Sequence, residues 1–224
     1  MAGASNSFDG GTPGQAITPA NSVSSGTAFF TATAMTYSNA RVHRGSLSGL
    51  IADGATGYVE HSLTGSGNRW VRAYVFCQTY NYDLVSLQMA NGEYISVGFI
   101  EGAAVLYKGA PGTADAWMDY VTFSPPAGWV RVELQASPAA VSTALARIYT
   151  EPESSTPTIE LSGPVLRTAT TWMVARYGGE NVSGAPRYTD SVAWSDQDWI
   201  GPLLDTSAPR SLMPVTAVHR SATW

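Results

Sequence analysis

The chain has 224 residues, 44% hydrophobic and 11% aromatic, with 12 Lys+Arg against 17 Asp+Glu for a net charge of −5. That apolar content offsets chain entropy and excludes disorder, while an acidic balance without a basic cluster leaves nothing to replace phosphate counterions and excludes a nucleic-acid partner. No stretch reaches the roughly 18–20 apolar residues of a membrane span, and Met1 to Phe8 has neither a charged nor an apolar signal region, so no membrane partner and no secretion or anchoring signal is expected.

Taken in chain order, strands are expected at 27–33, 40–50, 58–63 and 70–77. The last is apolar on both faces: Val71, Ala73, Val75 and Cys77 alternate with Trp70, Arg72, Tyr74 and Phe76, as in a strand in the middle of a sheet. Residues 84–99 read as a hairpin, with Asn91-Gly92 as its turn and Ile95, Val97 and Phe99 on one face. A strand follows at 103–108. In 129–135, Val130, Val132 and Leu134 face one way and Arg131, Glu133 and Gln135 the other, the period of a half-buried strand. Residues 138–146 read equally as a helical turn or as a loop leading into a strand, and further strands are expected at 144–150, 158–161, 171–176 and 190–194. Gly- and Pro-bearing stops such as Asp53-Gly54, Pro111-Gly112 and Gly178-Gly179 separate them. Many short strands without a long helix or repeat predict an all-β sandwich or jelly roll. The pattern changes after Pro202, so a domain at 1–202 and an extended C-terminal arm at 203–224 are expected, the arm packing on its own domain or on a neighbour's sheet edge.

Catalytic signatures are weak. A glycosidase on a sheet needs two carboxylates across one cleft, and no Glu-x-Asp-x-Glu strand exists; Glu151/Glu153 and Asp196/Asp198 sit in turn-like segments. His43, His61 and His219 are scattered and read as surface or strand-edge residues, no Gly-x-Ser-x-Gly elbow is present, and the single Cys77 reads as core. Trp172 and Trp194 lie in strand-like runs and are assigned to the core, and Asn181-Val182-Ser183 matches a glycosylation acceptor only by coincidence. For sugar recognition, aromatic faces suit pyranose C–H groups and amides or carboxylates read hydroxyls. Two clusters fit: Tyr80, Tyr82 and Asp83 after the central strand, and Trp117, Asp119 and Tyr120 after Pro111-Gly112, both read as loops. Lidding of the core or a subunit contact is the competing reading of both.

The order of motifs resembles the concanavalin A-like, laminin-G-type jelly-roll domains of actinobacterial phage virion proteins. The resemblance spans 6–202 and is carried by Asn6-Ser7-Phe8-Asp9-Gly10-Gly11-Thr12, by residues 40–47 ending in Gly45-Ser46-Leu47, by Trp129-Val130-Arg131-Val132-Glu133-Leu134, and by Tyr188-Thr189-Asp190-Ser191-Val192-Ala193-Trp194-Ser195 with Trp199-Ile200-Gly201-Pro202. Ser191 departs from an acidic position common in the family. A single lysine among twelve basic residues, Lys108, fits a GC-rich coding sequence. The resemblance implies a concanavalin A-like sandwich of two antiparallel sheets with the first and last strands paired and a concave face that holds glycans in relatives. Such pairing would bring Asp9 and Asp190 together as ligands of a structural calcium; the alternative is that both accept loop hydrogen bonds.

The function expected is that of a non-enzymatic virion protein on a phage surface, in a minor tail or capsid decoration role. Its partners would be other virion proteins, copies of itself as a homotrimer, and host-surface glycans. The alternatives are a polysaccharide depolymerase on the same fold, or a carbohydrate-binding module of a secreted bacterial protein, against which an opening Met1 weighs.

Overall fold

A computed structural model describes residues 2–77, 82–109, 116–139, 141–166, 170–180 and 184–203. The strands among them are, in chain order, β1 (Gly3–Asn6), β2 (Thr31–Thr33), β3 (Thr36–Ser38), β4 (Ser48–Ile51), β5 (Thr56–Ser62), β6 (Arg69–Cys77), β7 (Tyr82–Met89), β8 (Tyr94–Ile100), β9 (Ala103–Lys108), β10 (Ala116–Thr122), β11 (Gly128–Ala136), β12 (Val141–Tyr149), β13 (Ile159–Leu166), β14 (Trp172–Glu180) and β15 (Arg187–Ser195). One helical turn, α1 (Pro19–Ser22), starts at a capping box in which Thr18 and Asn21 exchange side-chain and backbone hydrogen bonds.

The strands form the two antiparallel sheets of a jelly-roll sandwich. The eight-stranded sheet runs β13-β12-β11-β6-β15-β4-β3, with β1 added beside β15; the seven-stranded sheet runs β10-β9-β8-β7-β14-β5-β2. Period-two alternation builds the core. Val71, Ala73 and Val75 of β6 and Val130, Val132 and Leu134 of β11 meet Leu87 and Met89 of β7, Ile95, Val97 and Phe99 of β8 and Leu106 of β9 in one buried cluster. Each Val, Leu, Ile, Phe or Met side chain among them contributes about 1.5–3 kcal/mol on burial. The central position read for 70–77 is observed: β6 lies between β11 and β15. Trp172 is buried in the core and Trp194 packs against it.

The first and last strands pair, Gly3 opposite Ser195 and Asn6 opposite Val192. The same edge of β15 takes β4 over Arg187 to Thr189. The changeover falls at a bulge between Asp190 and Ala193, where Ser191 has φ +48°.

Two expectations need correction, and one that was left open is decided. Residues 40–50 are a strand only from Ser48 onward; 40–47 is a loop, because its backbone N–H groups bond carboxylates distant in sequence instead of a neighbouring strand. The segment holding Trp117 to Tyr120 is strand β10, paired with β9, and not a loop. In 138–146 the strand reading holds, since β12 starts at Val141. Beyond β15, 196–203 returns over the eight-stranded sheet: Arg72 Nη1 donates to Gly201 O at 2.9 Å and Leu203 N to Tyr74 Oη at 2.8 Å. The rest of the expected arm, 204–224 with His219, lies outside the described residues, as do Asn181 to Ser183 and the Cys77 side chain.

Candidate functional site

On the outer face of the seven-stranded sheet, strand register lines up one residue from every strand: Trp117, Tyr107, Ser96, Ser86, Arg176, Glu60 and Thr31. Most of this row is polar, and its groups bond one another. Ser96 Oγ donates to Ser86 Oγ at 2.9 Å. Glu60 Oε1 receives Arg176 Nε and Nη2, each at 2.7 Å. The Arg176 guanidinium lies 4.0 Å from the ring centre of Tyr58 and 5.0 Å from that of Tyr94, so it is held between two rings as well as by its carboxylate.

The row ends in an exposed aromatic pair on the edge strand. Trp117 and Tyr120 are 39% and 60% exposed with ring centroids 5.3 Å apart. Alternation alone would put residues three apart on opposite faces. The bulge between Trp117 and Asp119 brings both rings to one face, opposite Tyr107 and Val105. The other residues singled out from the sequence are placed differently. Asp119 accepts from Tyr120 N at 2.9 Å and from Ser162 N of β13 at 2.8 Å, so its carboxylate ties the sheet edges together. Asp83 is buried: it accepts from the Tyr107 hydroxyl and from Glu180 N at 3.1 Å. Burial raises its carboxyl above the ordinary value, against the bond from Tyr107 and the charge of Arg187. Tyr80 and the Tyr82 side chain lie outside the described residues.

Asp9 and Asp190 both accept loop hydrogen bonds. Asp190 Oδ2 takes His43 N at 2.9 Å and Arg44 N at 3.1 Å; Asp9 Oδ1 takes Ser46 N at 2.6 Å and Leu47 N at 3.1 Å. Loop hydrogen bonding, one of the two readings drawn from sequence, is thus present at both carboxylates. Among the described residues no three His, Cys, Asp or Glu side chains gather as a metal cluster.

The surface or strand-edge reading of His43 and His61 is also corrected. His61 is buried between Phe29 and Tyr177, with centroids 5.1 and 5.5 Å away, and His43 stacks on Tyr74 at 4.0 Å. Desolvation lowers both to about 4; for His43 the charges of Arg44 and Arg72 add to it. Under the 196–203 segment, Glu133 pairs with Arg131 at 3.2 Å and accepts from Tyr149, all three buried. Glu60, Asp83, Glu133 and Asp190 thus each hold a bond to a donor of the fold itself.

No protein-family model and no curated protein sequence matches the chain. Solved structures do match it. The exoplasmic/lumenal domain of VIP36 in its metal-free form aligns over 87% of this chain and 92% of that one, with TM-score 0.51 at 7% identity. Its Ca2+/Man2-bound form aligns over 86% and 87%, with TM-score 0.50 at 7% identity. A glycosyl hydrolase family protein from Mycobacterium fortuitum aligns over 85% and 98%, with TM-score 0.47 at 16% identity. The likeness is one of fold, that of the concanavalin A-like jelly rolls.

Proposed function

We propose that this chain binds carbohydrate without cleaving it, at the platform of Trp117 and Tyr120 on the seven-stranded sheet. The observation that carries the reading is the exposed ring pair at 5.3 Å. Flat apolar rings beside polar groups suit a pyranose, whose C–H face stacks while its hydroxyls take hydrogen bonds. The VIP36 domain, similar in fold, has a Man2-bound form, which supports a sugar as the ligand class without placing it. The non-catalytic half rests on the engaged carboxylates, since a glycosidase needs an acid and a base or nucleophile free to reach the scissile bond. Display on a phage particle, in contact with host glycans, is the setting suggested by the sequence resemblance.

The test is a glycan array probed with the full chain, with W117A and with Y120A. Retention of defined glycans by the wild type, weakened about tenfold or more by either substitution, is the expected result; one stacked ring is worth on the order of 1–2 kcal/mol. Unchanged binding by both variants sinks the assignment to this platform, and release of reducing ends from a bound polysaccharide sinks the non-catalytic reading.

A further inference from the structure

The opposite face of the sandwich carries a second aromatic row that no motif announces. Register on the outer face of the eight-stranded sheet aligns Trp129 of β11, Phe76 of β6, Tyr188 of β15, Leu50 of β4 and Thr36 of β3. All five are half-buried. The rings meet edge to face, Trp129 to Phe76 at 5.7 Å and Phe76 to Tyr188 at 6.2 Å, and the exposed Arg41 guanidinium stands 5.3 Å from the Phe76 ring centre.

Three polar groups here are unspent. The Trp129 indole N–H and the Tyr188 hydroxyl have no hydrogen-bond partner among the described residues, and Arg41 donates only to the carbonyl of Ala40, at 3.2 Å, with no carboxylate beside it. The neighbouring Arg44, by contrast, is engaged by Glu153 at 3.5 Å and by Leu203 O at 3.1 Å. His43 is nine-tenths buried at the margin of the row, and its Nδ1 has no hydrogen-bond partner among the described residues. A row of rings whose end donors and middle guanidinium have no side-chain partner among the described residues is a chemically specific surface on a protein of net charge −5.

We propose that this row is a separate binding site for a saccharide carrying one acidic group: sugar rings stack on Trp129 and Tyr188, and the acidic group pairs with Arg41. A guanidinium matches carboxylate and phosphate geometry, and indole and phenol tips donate to hydroxyls while their rings take C–H faces. A protein partner fits less well. A stable interface covers about 800 Å² on each side with an apolar centre, whereas these rings are half-buried, set on edge to one another and topped by a charge. The site lies on the sheet opposite Trp117 and Tyr120 and stands or falls apart from that platform.

Titration calorimetry of the full chain decides the matter with three trisaccharides that differ only in their last unit: glucuronate, glucose 6-phosphate and neutral glucose. At least one acidic form should bind at one per chain and about tenfold or more tighter than the neutral form, with the preference shrinking as salt screens it. The stronger acidic arm names the source of the charge. R41Q should reduce acidic binding to the neutral level with an unchanged melting temperature, since Arg41 is exposed. W129A should weaken all forms tenfold or more, and Y188F should weaken them with both rings still present. Equal affinity for acidic and neutral sugars, no binding of any, or indifference to R41Q would overturn the proposal. So would a self-associated state that W129A dissolves, which would assign the row to a second copy.

Discussion

Asp190 and Asp9 hold one loop from its two ends: Asp190 takes the backbone N–H groups of His43 and Arg44, and Asp9 takes those of Ser46 and Leu47. The residue between the two grips is Gly45, at φ +79°. A Cβ there would run into the Asp9 carboxylate and carry an unfavourable backbone conformation as well. Gly45→Ala should therefore cost about 2 kcal/mol, read as a lowered chemical-denaturation midpoint. Ser46→Ala, which removes only a hydroxyl bond to Asp9 at 3.0 Å, should cost less than half as much.

The same grip makes stability depend on pH. Desolvation raises the Asp190 carboxyl from 3.8 to about 7, against the donors Arg44, His43 and Ser191. The folded chain keeps a proton that the unfolded chain sheds, so this contribution is full below about pH 4 and is lost as pH rises through about 7. Asp190→Asn cannot titrate. The gap in melting temperature between wild type and Asp190→Asn should widen from pH 8 to pH 5; a constant gap would refute the shift.

His61 runs the other way. Burial lowers it from 6.5 to about 4, with the Thr27 carbonyl opposing. Its contribution is present above about 6.5 and is lost as pH falls toward 4. His61→Gln, placed between the same Phe29 and Tyr177 rings, should trail wild type at pH 7.5 and close that gap at pH 5 in a thermal melt.

Arg131 is buried with Glu133, its ring partner Tyr149 at 3.6 Å and the carbonyls of Pro152 and Ser154. Glu133→Leu strands a buried cation and should cost about 3 kcal/mol. The double variant Arg131→Met, Glu133→Leu should recover part of that loss in the same denaturation curves, because it removes the stranded charge along with its partner.

Strands with strict alternation were legible without a structure. Residues 70–77 and the 84–99 hairpin carry long apolar runs that only a buried sheet satisfies. Strand β10 was not, because its bulge breaks the period at the point that puts Trp117 and Tyr120 on one face. Residues 40–47 resemble a strand locally, but their partners Asp9 and Asp190 lie far off in the chain. His61 is buried by rings more than thirty residues away on either side. Trp129, Phe76 and Tyr188 illustrate the same limit for sites: they sit on three separate strands, and only register makes them neighbours.

The last two strands in sequence each fill the middle of a sheet, β14 between β7 and β5, and β15 between β6 and the paired β4 and β1. During synthesis both sheets therefore stay open at their centres until the ribosome has delivered residue 195. Until then β6 and β7 each present a long unpaired edge, the kind of surface that recruits other nascent chains. Slow translation over 172–195 would therefore prolong the most aggregation-prone interval of this unit.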